Sequence, residues 1–152
     1  MHESRVYYNI FEANAQIPRL EHLFAELAKI QRQVNALSRR ALELGVELSF
    51  DIDAEACNNL HPLKGQLADK MKAFSEEYSD KLHEIAALGV IVDDLDMGIV
   101  NFYSWIDGRE IFLSWQYGEP EIAHWHAVTE NAIARRPLKK LVSSRPAEAS
   151  LH

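Results

Sequence analysis

An α+β fold is predicted by three features of the sequence. Two long stretches carry apolar residues stepping by three and four, a later stretch switches to β-branched and aromatic runs around Asp107-Gly108, and the composition suits a buried core. The expected arrangement is a long antiparallel helical hairpin, coiled-coil-like, packed with a small antiparallel β-meander. With 152 residues, 47% hydrophobic and 26% charged, the chain fits one domain over 1–138, the hairpin at about 10–88, the meander at about 97–127 and a flexible tail at 139–152.

The first helix is announced by Asn9, a capping residue with Glu12 in the capping-box position three residues later. Pro18 lacks a backbone donor and predicts an early kink. Leu20, Leu23, Leu27, Ile30, Val34, Leu37, Ala41 and Leu44 then form a continuous seam that ends at Gly45. A straight helix over that seam spans about 37 Å at the helical rise and needs a partner surface. A second series, Leu60, Leu63, Leu67, Met71, Phe74, Tyr78, Leu82 and Ile85, stops at Gly89. Pro62 fits either the first turn of that helix or a kink. Between the helices, "GVELSFDID" alternates Val46, Leu48, Phe50 and Ile52 with polar residues and reads as a short strand.

After Gly89 the period becomes two. "GIVNFYSWIDGREIFLSWQYG" predicts a β-hairpin turning at Asp107-Gly108, both with positive φ. In that register Val100 faces Trp115, Phe102 faces Leu113 and Ser104 faces Ile111, while the other face carries Trp105, Tyr103 with Phe112, and Asn101 with Ser114. Two aromatic faces and a heptad seam point to a surface covered by another subunit, a homodimer.

Composition narrows the function classes. A formal net charge of −7 opposes broad binding to nucleic acid or anionic membrane, both polyanions. No stretch is apolar enough to cross a bilayer and the first residues lack a signal-peptide layout, so a cytoplasmic setting is expected. The single cysteine, Cys57, excludes an internal disulfide, and nothing near it in sequence supplies a base to activate it. The basic cluster Arg135, Arg136, Lys139 and Lys140 reads as a solvated segment. No glycine-rich phosphate loop is present in the sequence.

The candidate chemistry lies in "GEPEIAHWH", residues 118–126. If 121–127 is a strand, His124 and His126 share one face while Glu121 and Trp125 point away. If it is a helical turn, Glu121 and His124 pair instead. Either geometry supplies at most two ligands, so a site for zinc, iron, manganese or nickel borrows from Glu119 or from the aspartates of "VDDLDMG", Asp94 first among Asp93, Asp94 and Asp96. The bland alternative makes the histidines hydrogen-bonded structure at a sheet end. His61 is a weaker candidate, and His83 lies on a charged helix face. A separate ligand pocket could combine Trp105 and Trp115 with Arg109 as cationic anchor.

"YNIFEANAQIPRL", "LGVIVDDLDMGIVNF", "DGREIFLSWQYGEPEIAHWH" and "RRPL" together resemble a bacterial family, domain-of-unknown-function family 2203, from about Tyr8 to Leu138. The distinctive positions of that pattern fall on Asp94, Gly98, Gly108, Arg109, Trp115, Gly118, Glu119 and His126. Asn101 stands where the pattern has aspartate, Ser114 where cysteine is frequent, and "NAIARRPL" lacks glycines before the arginines. The resemblance implies a fold and a bacterial cytosolic setting, and supplies no reaction.

Three readings are open at this point. The first is a non-enzymatic, self-associating or protein-interaction module. The second is a metal-dependent hydrolase or lyase using Glu119, Glu121, His124, His126 and Asp94, with metal-bound water activated beside a carboxylate base. The third is a small-ligand binding module built on Trp105, Arg109 and Trp115.

Overall fold

A computed structural model of the chain describes residues 5–46 and 62–138. The strand expected within "GVELSFDID", Cys57, His61 and the tail from 139 lie outside the described residues. Helices α1 (Ile10–Ala15), α2 (Ile17–Glu43) and α3 (Pro62–Ala86) precede five strands, β1 (Ile91–Asp94), β2 (Ile99–Ile106), β3 (Arg109–Gln116), β4 (His124–Ala127) and β5 (Arg136–Pro137). Helices and one antiparallel sheet make the fold α+β. None of the described helices is long and apolar enough to cross a membrane. The chain gathers into two compact units, one formed by residues up to Phe24 together with those from Glu84 onward, the other by Ala25–His83.

In the first unit, Asn9 accepts the Glu12 amide at 2.8 Å while the Glu12 carboxylate accepts the Asn9 amide at 2.9 Å, the expected capping box. The helix breaks at Gln16 rather than kinking, and Pro18 sits in the first turn of α2, where its missing donor costs nothing. The sheet has strand order β1-β2-β3-β4-β5 with every pair antiparallel, a meander. The hairpin register is the expected one: Val100 pairs with Trp115, Phe102 with Leu113 and Ser104 with Ile111. Asp107 and Gly108 have φ of 56° and 71°, as that two-residue turn requires.

These strands bury one face almost completely. Val100, Phe102, Ile111, Leu113 and Trp115 are all sealed from solvent, as are Leu20 and Leu23 of α2 and Ile85 of α3. Phe24 meets Trp115 at 6.1 Å between ring centroids, and Tyr8 meets Phe102 edge-on at 5.0 Å. Gly98, at φ 70° between β1 and β2, is where a side chain has no room: a Cβ there would stand 2.6 Å from Tyr117 Cβ, and Tyr117 donates its amide to the Gly98 carbonyl at 2.9 Å.

In the second unit, α2 ends in a Schellman cap: Val46 N–H reaches the Ala41 carbonyl at 2.8 Å and Gly45 N–H the Leu42 carbonyl at 3.1 Å, with Gly45 at φ 70°. Leu37 and Ala41 of α2 form one buried cluster with Leu67 and Met71 of α3, and Val34, Val46, Leu63 and Phe74 pack around it. The predicted seam is buried within the single chain at Leu20, Leu23, Leu27, Ile30, Leu37 and Ala41. Val34 is only half-buried and Leu44 is exposed. Beside Val34 opens a groove of about 290 Å³ lined by Gln31, Val34, Phe74, Ser75, Tyr78, Ser79 and Leu82.

Candidate functional site

Pleating sends the odd positions of β2 and the even positions of β3 and β4 to the sheet face opposite the helices' core contacts. That face carries Asn101, Tyr103 and Trp105 of β2, Glu110, Phe112 and Ser114 of β3, and His124 and His126 of β4. Residues 124–127 are a strand, so His124 and His126 share a face and Trp125 points away, as the strand geometry requires.

His126 is fully buried. Both of its ring nitrogens face oxygen acceptors: Nδ1 lies 2.9 Å from the Ala127 carbonyl, and Nε2 lies 3.2 Å from Asn101 Oδ1. Asn101, also buried, donates Nδ2 to Asp93 Oδ2 at 2.9 Å, and that same carboxylate oxygen is 3.7 Å from His126 Nε2. Asp93 reaches this point because the β1–β2 register slips between Val92 and Asp94, leaving Asp93 as the extra residue of a bulge.

A second polar group centres on Glu119. Its Oε1 accepts the Gln116 amide at 2.6 Å and Arg135 Nη2 at 2.7 Å. Arg135 also donates Nε to Ser114 Oγ at 3.0 Å and Nη2 to the Ser114 carbonyl at 3.3 Å. His124 Nδ1 is 3.3 Å from Glu119 Oε2, inside ion-pair range but outside hydrogen-bond geometry. Arg135 is therefore a half-buried clamp on the sheet face opposite the core rather than part of a solvated basic segment, its side chain only 15% exposed.

Arg136 is also engaged. It clasps Glu130 through two 2.6 Å hydrogen bonds, and Glu130 Oε1 accepts the Ala127 amide at 2.9 Å. The Arg136 hydrogen bonds first, and the Ala127 amide second, hold the Glu130 carboxyl down to about 2. On the core-side face, Arg136 and Arg109 stand over the Trp125 ring at 5.0 and 5.2 Å.

At the far end of the sheet, Tyr8 N–H bonds to the Tyr103 carbonyl at 2.8 Å and Tyr7 makes a parallel bridge to Tyr103. The Glu110 carboxylate accepts Tyr7 Oη at 2.5 Å and Arg5 Nη1 at 2.8 Å, which lowers its pKa, Tyr7 contributing most. The same bond raises the Tyr7 phenol. Tyr7 also lies 5.5 Å from the half-exposed Trp105 ring.

The predicted site residues thus separate. Glu119 and His124 meet, and His126 heads a different network. Asp94 is spent on the β1–β2 turn, where it accepts the Met97 amide at 2.9 Å; Asp93, its neighbour, is the aspartate that faces a histidine. Glu121 is exposed. Among the described residues no three His, Cys, Asp or Glu side chains gather as a metal-binding group. The aromatic pocket does not form from the residues expected. Trp105 and Trp115 have opposite parity in the β2–β3 register and lie on opposite faces, Trp115 is sealed with its indole N–H on the Glu119 carbonyl at 2.8 Å, and Arg109 covers Trp125. His83 is exposed on α3, the solvated position its charged neighbours suggest.

Asn101 and Arg135 are not among the site residues the sequence predicts. Asn101 does carry a signal, standing where the resembled pattern has aspartate; Arg135 carries none, since only the return of the chain from β4 to β5 brings it over Ser114. No curated protein and no solved structure matches the chain. The family described as "Uncharacterized conserved protein (DUF2203)" matches residues 6–138, and with that span covering most of its length the chain belongs to domain-of-unknown-function family 2203.

Proposed function

We propose that the protein is a non-enzymatic self-associating module, in which α2 and α3 form an antiparallel helical hairpin and the groove beside Val34 receives the same groove of a second copy. The observation that carries this reading is the groove itself. Val34, Phe74 and Leu82 leave apolar surface half-buried in one chain, between polar Gln31, Ser75 and Ser79. Two such grooves facing each other about a two-fold axis would make a four-helix core, the usual way for a helix pair to finish burying an apolar stripe. The buried part of the heptad seam is satisfied within the chain, so the groove rather than the whole seam is the surface offered to a partner.

Ser75→Glu and Leu82→Glu place a charge in the groove at residues outside the buried Leu37–Met71 cluster and the side chains packed around it. Light scattering should give a monomeric mass for both variants and a dimeric mass for the unaltered protein, with unchanged helical circular dichroism. Variants that keep the dimeric mass would remove the groove from the interface.

A further inference from the structure

Three electron-pair-bearing atoms converge beside β1. The Nδ1 of His126 sits 2.9 Å from the Ala127 carbonyl, an atom that can only accept, so Nδ1 carries the hydrogen and Nε2 presents its lone pair inward. Facing that lone pair are Asn101 Oδ1 at 3.2 Å and Asp93 Oδ2 at 3.7 Å, both acceptors. The Asn101 amide cannot simply reverse to donate to Nε2, because its Nδ2 is already the donor to Asp93 at 2.9 Å and reversal would set oxygen against carboxylate. Such a point, buried at His126 and Asn101, attracts a cation.

We propose that His126 Nε2, the Asp93 carboxylate and Asn101 Oδ1 bind one divalent first-row transition-metal ion. The backbone carbonyl on Nδ1 is the outer-shell partner that ligating histidines ordinarily have, fixing tautomer and ring orientation. One imidazole nitrogen with two oxygens suits zinc, manganese or iron(II) better than calcium, which prefers oxygen alone, or copper(I), which prefers sulfur. Separations of 3.2 and 3.7 Å between donor atoms are close to those of ligands held at about 2.1 Å around one ion, so small side-chain rotations complete the set. Asp93, whose side chain is 21% exposed, gives the ion a way in, and water fills the remaining positions.

The neighbouring Glu119 group is no competitor. Arg135 Nη2 at 2.7 Å already supplies its cation, and Glu119 would have to surrender that guanidinium to take a metal. Glu130 adds negative charge near His126 but is held by Arg136 and by the Ala127 amide.

Zinc alone is the probe. Calorimetric titration of the full chain, prepared without chelator, should give one saturable site. Asp93→Asn should weaken it by roughly tenfold or more, and Asn101→Asp, which turns a neutral ligand into a charged one, should tighten it by roughly tenfold or more. Glu119→Gln should leave affinity unchanged. Without metal, Asn101→Asp also sets two carboxylates together, so its Tm should drop and recover on adding zinc. His126→Ala, a buried truncation, is too disruptive to serve as the test, and Asn101→Asp stands in its place. No saturable zinc binding in either the unaltered protein or Asn101→Asp would overturn the site. So would binding that ignores Asp93→Asn, which would assign the zinc to exposed histidines, or binding lost in Glu119→Gln.

Discussion

Ser104 lies sealed in the apolar core face between Phe102 and Ile106, and its hydroxyl has no hydrogen-bond partner among the described residues. A buried unpartnered hydroxyl costs stability, so Ser104→Ala should leave stability unchanged or raise it by about 1 kcal/mol in urea unfolding. A loss of that size would mean that the hydroxyl is satisfied in solution. Asp93 shows how residue identity escapes sequence reasoning. "VDDLDMG" offers three aspartates, and alternation alone cannot choose among them, because the choice depends on a one-residue bulge opposite Ile99 and Val100. For His126, by contrast, strand alternation alone is enough to place it on the same face as His124.

At the scale of elements, local signals were read most reliably. The capping box at Asn9, the stop at Gly45, the Asp107-Gly108 turn and the β2–β3 register all follow from neighbouring residues, whose physics acts within one or two turns of chain. The break at Gln16 and the short β5 were not visible, since neither has a periodic signal. Two predictions belong here. Gly98→Ala forces a side chain into both positive φ and a 2.6 Å approach to Tyr117, and should destabilise by about 1–3 kcal/mol in thermal or urea unfolding. The Glu130–Arg136 clasp holds β4 to β5, and it is acid-sensitive. Because the folded Glu130 pKa is depressed, its contribution is complete above the ordinary value of 4.5 and is lost as pH falls toward about 2. Hydrogen exchange at the Ala127 amide, whose acceptor is Glu130, should accelerate across that window relative to strand amides of β2 once intrinsic rates are divided out. Glu130→Gln should remove that pH dependence.

For the whole molecule, the α+β class came from two periodicities in sequence, 3.6 followed by two, and both are realised. What periodicity could not convey is which part of the apolar stripe the chain would bury by itself. Leu37, Ala41, Leu67 and Met71 close on one another, while Val34, Phe74 and Leu82 border an open groove. The difference is set by the sizes and spacing of facing side chains along two helices, which a heptad count does not contain. The proposed association rests on that groove. The most direct test is sedimentation equilibrium of the unaltered chain at micromolar concentration. A monomer–dimer equilibrium is the predicted result, and a single monomeric species would rule out the proposed dimer.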